Sequence, residues 1–456
     1  MVTTTTTQTS RSDPPARPLP AARSKIGLIV AASMAAGLTA AGLLVAAPLV
    51  PADEHKLTGM VLLGFALGWA LLAVLSVRFT DQPQRWAVAP AALMAAVAVA
   101  LLSGSAAVQN VLSWVWPPAL FVLVVWTFLR ARRQVTSRGA RRLLYPVIAV
   151  LGIAAVGGGY ETVRESLDTK SYPPPGQLVD VGGHRLHLSC TGSGSPTVVL
   201  EPGQGGVSLD FEWIAPVVAR DTRVCMYDRA GRGWSDATDG PQDGAQLAAD
   251  LHTLLDRAQV PGPYVLAGHS FGGLYVQSFA AQFPDQVAGL VLLDSTAPKP
   301  GPALPSITSD NVFGRVSALV PAVAHLEVGR LIAQFDYASL PPRVRDEWRA
   351  NASRTRNLDS WIEEFGAGTT SMQQAAALTN LDGKPLIVLT ADTGNAADWG
   401  QKQELMAGLS ANSLHRVAEA TDHNSMISDE ADSAAASQAI HDVVEAVRTA
   451  RPLSSP

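Results

Sequence analysis

Five apolar stretches fill the chain between Ile26 and Tyr160, running roughly over 26–50, 57–77, 87–108, 112–129 and 143–160. A bilayer core about 30 Å thick needs about 20 mostly apolar residues per crossing helix, and no Asp, Glu, Lys or His interrupts any of the five. A cleavable leader would supply one short block rather than five. A buried helical bundle is the competing reading, and it fits such sustained uncharged lengths poorly. Residues 26–160 are therefore read as an all-α transmembrane region. The opening residues 1–25, rich in Thr, Pro and Arg and without an apolar face, read as a disordered cytoplasmic tail.

Loop charges give the orientation. Arg11, Arg17, Arg23 and Lys25 precede the first stretch, Arg78 and Arg85 follow the second, and Arg130, Arg132, Arg133, Arg138, Arg141 and Arg142 separate the fourth from the fifth. Basic residues stay on the cytoplasmic side. That places the amino terminus inside, and five crossings put everything after Tyr160 on the extracytoplasmic side. Pro117 and Pro118 make the fourth stretch weak, and the terminal glycines do the same for the fifth. Transporters usually carry ionisable groups within their spans, so this region reads as an anchor in contact with membrane lipid. The net charge of -5, with no basic stripe in the soluble part, argues against a nucleic-acid partner.

After the apolar region, residues 161–176, with "YPPPG", read as a Pro-rich linker. From 177 to 456, strand-like runs ("QLVDV", "HRLHLSC", "TVVLEPG", "TRVCMYD", "YVLAG", "GLVLLD", "PLIVLT", "HRVAEA") alternate with helix-like ones. This order predicts an α/β domain with a doubly wound, mostly parallel sheet and an antiparallel first edge. The alternation lapses at about 295–381, where Pro-broken helical segments predict a helical cap over the strand ends. Ligands of such sheets bind at the carboxyl ends of the strands, so that cap would shape the pocket.

One serine stands out. In "YVLAGHSFGG" a buried strand meets a helix-like segment, and Ser270 lies on the turn between Gly268 and Gly272. Small neighbours allow strand and helix to approach closely and leave the serine oxygen exposed on a sharp elbow, beside the positive end of the helix dipole. A serine nucleophile needs a base. His423 in "ATDHNSM" follows the last strand-like run, where a loop residue can reach the elbow. His415 and His441 fall inside a strand and a helix, His184 and His187 on the edge strand, and His269 reads as a packing or surface residue.

"VVLEPGQGG", "YDRAGRGWSD", "GHSFGG" and "TDHNSM", in this order, resemble the α/β-hydrolase superfamily, in its serine esterase, lipase and peptidase branch with a helical cap. The resemblance implies a triad in the order Ser, acid, His. Asp294, ending "GLVLLD", is favoured as the acid, with Asp392 in "LTADTG" the alternative. It also implies an oxyanion hole from the backbone N–H groups of Gln204 and Phe271. Cys190 and Cys225 lie on runs that neighbour each other in this fold. They form either a disulfide, in an oxidising compartment, or two buried thiols.

No dinucleotide, NTP or metal motif occurs, so no cofactor or metal is expected. The expected function is that of a membrane-anchored serine hydrolase acting on a small-molecule or lipid-like ester, or a thioester or amide, through an acyl-enzyme. The competing expectation is a non-enzymatic receptor or transport accessory on the same fold. Oligomeric state stays open.

Overall fold

The computed structural model describes residues 25–238, 240–299, 312–323 and 338–454. The expected tail, apart from Lys25, and parts of the expected cap lie outside these residues. Helices α1 (Ile26–Ala46), α2 (Glu54–Phe79), α3 (Val88–Ser103), α4 (Ala106–Gln134) and α5 (Arg138–Ser171) come first. Among the described residues, five helices here are long and apolar enough to cross a membrane. α1 and α2 meet backbone to backbone. A Cβ on Gly37 would lie 2.9 Å from the Gly68 Cα, and one on Gly64 would lie 2.4 Å from the Ala41 nitrogen. Small residues permit this approach between apolar helices. Away from the bundle the surface stays apolar, with Leu28, Leu38, Leu43, Val74, Val122 and Ile153 between 64% and 72% exposed.

Two features of this region differ from the sequence reading. Pro117 and Pro118 lie inside α4 without ending it. The α5 glycines that looked like a terminus instead make room for them, since a Cβ on Gly159 would lie 3.4 Å from the Pro117 Cβ. The segment 161–176 is also not all linker, because α5 continues to Ser171. Its polar end carries the helix formers Glu161, Arg164, Glu165, Leu167 and Lys170 and an Arg164–Asp168 pair at 3.4 Å one turn apart. The chain leaves the helix only where the prolines begin, at Pro173.

The remainder forms an eight-stranded sheet in the order β1-β2-β4-β3-β5-β6-β7-β8. The strands are β1 (Gln177–Asp180), β2 (Arg185–Thr191), β3 (Thr197–Glu201), β4 (Val224–Asp228), β5 (Tyr264–His269), β6 (Val287–Leu293), β7 (Leu386–Ala391) and β8 (Ser413–Ala418). β2 runs antiparallel to β1 and β4, and the other pairings are parallel. Central strands β3, β5 and β7 are buried along their whole length. This is why they read as continuous apolar runs rather than as alternation. α6 (Gly244–Arg257) and α7 (Gly272–Gln282) pack on one face of the sheet, and a long carboxyl-terminal helix, Ser433–Thr449, packs on the other.

Between β6 and β7 lie two short described helices, Val312–Ser317 and Val320–Val323, followed by the cap helices α8 (Pro342–Ala352), α9 (Thr355–Gly366) and α10 (Gly368–Ala375). Cys190 and Cys225 face each other across the β2–β4 ladder and are joined in a disulfide. His184 falls in the turn before β2 rather than on the strand.

Candidate active site

β5 ends at His269 on the carboxyl side of the sheet, and the chain turns at Ser270 with φ of 54° before entering α7. A side chain in the left-handed region is strained, and the flanking glycines have no alternative. A Cβ on Gly268 would lie 2.5 Å from the Gly272 carbonyl oxygen, and one on Gly272 would lie 2.3 Å from that of Glu201. The elbow is pinned by its backbone: Ser270 N–H donates to the Leu293 carbonyl at 3.1 Å, and Thr296 N–H donates to the Ser270 carbonyl at 3.0 Å.

Three of the sequence candidates meet here. His423 Nε2 is 2.9 Å from Ser270 Oγ, and His423 Nδ1 is 2.5 Å from Asp294 Oδ2. A carboxylate can only accept, so Nδ1 carries the proton and Nε2 is free to accept from the serine hydroxyl. Asp294 is buried at the end of β6 with φ of 41°. Its Oδ1 accepts from Trp399 Nε1 at 2.7 Å and from the Ala391 N–H at 3.1 Å. Burial pushes this carboxyl upward, but the hydrogen bonds from His423 and Trp399 outweigh it and hold the group below the usual aspartate range.

The structure does not bring Asp392 to the imidazole. Its carboxylate accepts from the N–H groups of Ala420 at 2.9 Å and Thr421 at 3.1 Å, closing the loop that carries His423. Nor is His269 a surface residue. It is buried, and its Nε2–H donates to the His423 carbonyl at 2.8 Å. Burial, aided by the neighbouring His423, pushes its pKa down to about 3, so it holds that loop as a neutral ring. His415 contacts Thr390 and Glu404, and His187 contacts Asp228. Neither reaches the elbow.

Gly203 places the loop after β3 against the serine: a Cβ there would lie 3.1 Å from the Ser270 Cβ. Among the described residues, neither the Gln204 N–H nor the Phe271 N–H donates to a protein acceptor. Two free backbone donors beside a nucleophile are the arrangement that stabilises a developing oxyanion.

Sequence reasoning missed what holds this loop, namely Arg229 from the end of β4 and Glu364 from α9. "YDRAGRGWSD" marked the arginine only as part of a shared motif, and nothing local in the cap marks Glu364. Trp399 and Asn395, both on Asp294, likewise follow β7 without any pattern of their own. A cavity of about 650 Å³ is lined by Thr296, Met372, Leu378, Trp399, Leu405 and Met406 among others. It shares Trp399 with the Asp294 site but is not lined by Ser270 or His423. Among the described residues no group of His, Cys, Asp and Glu could hold a metal ion.

A sheet of this order with a serine elbow, a histidine loop after the last strand and a cap after β6 defines a class. Residues 196–430 match the model of the alpha/beta hydrolase fold family, and the chain belongs to that family. An uncharacterized protein of Schizosaccharomyces pombe is 36% identical over 151 residues, which cover 26% of this chain and 28% of that protein. A protein of Hormonema carpetanum named as a probable transporter, efuK, is 29% identical over 157 residues, covering 33% of this chain and 22% of that one. The chain thus spans well under half the length of these curated relatives. Among solved structures, a thermophilic esterase from Thermogutta terrifontis is 23% identical with a TM-score of 0.44, the match covering 59% of this chain and 99% of that one.

Proposed function

We propose that this protein is a membrane-anchored serine hydrolase that cleaves an ester through an acyl-enzyme on Ser270. The observation that carries the reading is the unbroken hydrogen-bond chain from Ser270 Oγ through His423 to the buried Asp294. In the first half-reaction Ser270 Oγ attacks the ester carbonyl carbon, and the serine proton passes to His423 Nε2. The resulting oxyanion lies against the N–H groups of Gln204 and Phe271, and the imidazolium is stabilised by Asp294. As the tetrahedral species collapses, the carbon–oxygen bond to the alcohol breaks and the leaving alkoxide takes the proton from His423. Water then repeats the sequence on the acyl-enzyme, releasing the acid and regenerating the serine. Thioesters and amides offer the same carbonyl to the same machinery.

The outward-facing apolar side chains of α1 to α5 support a lipid anchor for this domain. The arginine-rich connection between α4 and α5 supports a cytoplasmic position for that loop, and hence an extracytoplasmic hydrolase domain. The Cys190–Cys225 disulfide agrees with an oxidising compartment. Tethering at a membrane surface favours amphiphilic, lipid-like esters.

Intact cells treated with a membrane-impermeant fluorophosphonate test both claims, comparing the native protein with Ser270→Ala. Labelling that vanishes in the variant is expected. Labelling only after lysis would overturn the orientation and keep the chemistry, and no labelling of folded protein in either state would remove the enzymatic reading.

A further inference from the structure

The loop after β3 is held from outside, and part of the hold belongs to the cap. Arg229 is buried and donates from Nη1 to the Pro202 carbonyl at 2.9 Å and from Nη2 to the Gly203 carbonyl at 2.7 Å. Its Nη1 also reaches Glu201 Oε1 at 2.7 Å. Glu364 of α9 takes the other edge of the same guanidinium, with Oε1 accepting from Nε at 2.8 Å and Oε2 from Nη2 at 3.1 Å. Glu364 Oε2 also accepts the Gly205 N–H at 3.0 Å. Arg232 closes the frame, donating from Nη1 to the Gly205 carbonyl at 3.1 Å and to the Asn357 carbonyl of α9 at 2.7 Å. Trp361, one turn before Glu364, covers Gly205 so closely that a Cβ there would lie 2.5 Å from its Cδ1.

In a planar trans peptide the C=O and N–H point in opposite directions. A Gly203 carbonyl fixed on Arg229 therefore turns the Gln204 N–H away from that side. We infer that Glu364, carried by the cap, is a positioning residue for the oxyanion hole: by holding Arg229 and the Gly205 N–H it fixes the 203–204 peptide so that the Gln204 N–H serves Ser270. This rests on the serine-hydrolase reading above. Its consequence is that a competent oxyanion hole requires a docked cap. When α9 withdraws, Arg229 keeps Glu201, the loop carbonyls and the Tyr275 ring 5.1 Å away, and the Gly203 carbonyl keeps the Gly206 N–H at 3.0 Å, but the Gly205 N–H loses its acceptor and the glycines at 203, 205 and 206 offer little resistance to peptide rotation.

The test uses the full chain in detergent micelles, with 4-nitrophenyl butanoate as substrate. Active serines are counted by fluorophosphonate titration to completion, so every rate is expressed per competent site. Phenylboronic acid supplies a second readout. Its boron bonds to Ser270 Oγ as the serine proton moves to His423, leaving a tetrahedral anion with an oxygen in the hole.

Glu364→Gln is expected to lower kcat by about 10²-fold, the scale of a lost oxyanion donor. Boronate binding should weaken by a similar factor, with KM nearly unchanged. Glu364→Asp should recover part of both. Trp361→Ala, at a half-exposed position, should show a smaller loss of kcat and boronate affinity in parallel.

If Glu364 only supports the fold, the count of titratable serines falls while kcat per serine and boronate affinity stay native. That result overturns the inference. Should Glu364→Gln yield no titratable serine, Trp361→Ala decides by the same criterion. A native protein that is not labelled at all overturns the underlying serine-hydrolase reading instead, so the two failures are distinguishable.

Discussion

Asp294 and Asp392 end adjacent parallel strands, and each is followed by a loop near His423, yet only one carboxylate reaches the imidazole. Local sequence favoured Asp294 but kept Asp392 as the alternative, because "LLDS" and "LTADTG" both offer an acid at a strand's carboxyl end. Space decides: β6 lies next to β5, which carries the elbow, whereas β7 is one strand further away. Asp294→Asn is expected to lower kcat by about 10⁴-fold, since an amide no longer enforces the tautomer that leaves Nε2 unprotonated. Asp392→Asn should leave kcat close to native and cost about 1 kcal/mol of stability, as it removes one exposed loop hydrogen bond. Steady-state rates per titrated serine check both, and the opposite ranking would exchange the two roles. His269 carries the same lesson. Its partner is a backbone carbonyl 154 positions along the chain, and no pattern within the elbow announces such a contact.

At the scale of elements, the parallel core strands and the apolar helices were legible because their apolar content is nearly uninterrupted. Boundaries set by contacts between elements were not. The glycines of α5 resemble a helix end until Pro117 of α4 is seen lying against them. The two cysteines were equally undecided in sequence, because bridging depends on register, and the antiparallel β2–β4 ladder puts Cys190 directly opposite Cys225. A bridge closing a separation of 35 residues stabilises by about 4 kcal/mol in the chain-entropy account. Replacing both cysteines by alanine should therefore lower the temperature at which fluorophosphonate labelling is lost, and reductant should do the same to the native protein but not to the variant. Native protein whose cysteines alkylate fully without reductant would contradict the bridge.

For the whole molecule, charge is buried where the cap meets the sheet, and this sets how the fold responds to acid. Burial pushes the Glu364 carboxyl upward, but Arg229, Arg232 and the Gly205 N–H outweigh it and bring its pKa down to about 2. Burial is outweighed in the same sense at Asp228, by His187, and at Asp294, by His423. A carboxyl whose native pKa lies below its unfolded value contributes its full stabilisation above the unfolded value and loses it as pH falls through the native one. For Glu364 that window runs from about 4.5 down to about 2. Glu201 and Asp210, the latter accepting from Trp348 of α8 at 2.6 Å, are pushed by burial up to about 7. Their contribution has the opposite sign: the native state takes up protons first, so stability rises as pH falls from about 7 toward the ordinary carboxylate range and is level below it. The two windows follow one another rather than overlap: above that range only the gain operates, and below it the loss stands alone. The temperature at which labelling is lost, measured after incubation across acidic pH and return to neutrality, should therefore rise between neutrality and about pH 4.5 and fall below it. Glu364→Gln starts from a weaker cap and has no carboxylate to protonate, so its acid limb should be shallower than the native one. Identical acid limbs in the two proteins would mean that the charge at this seam does not couple the cap to the sheet.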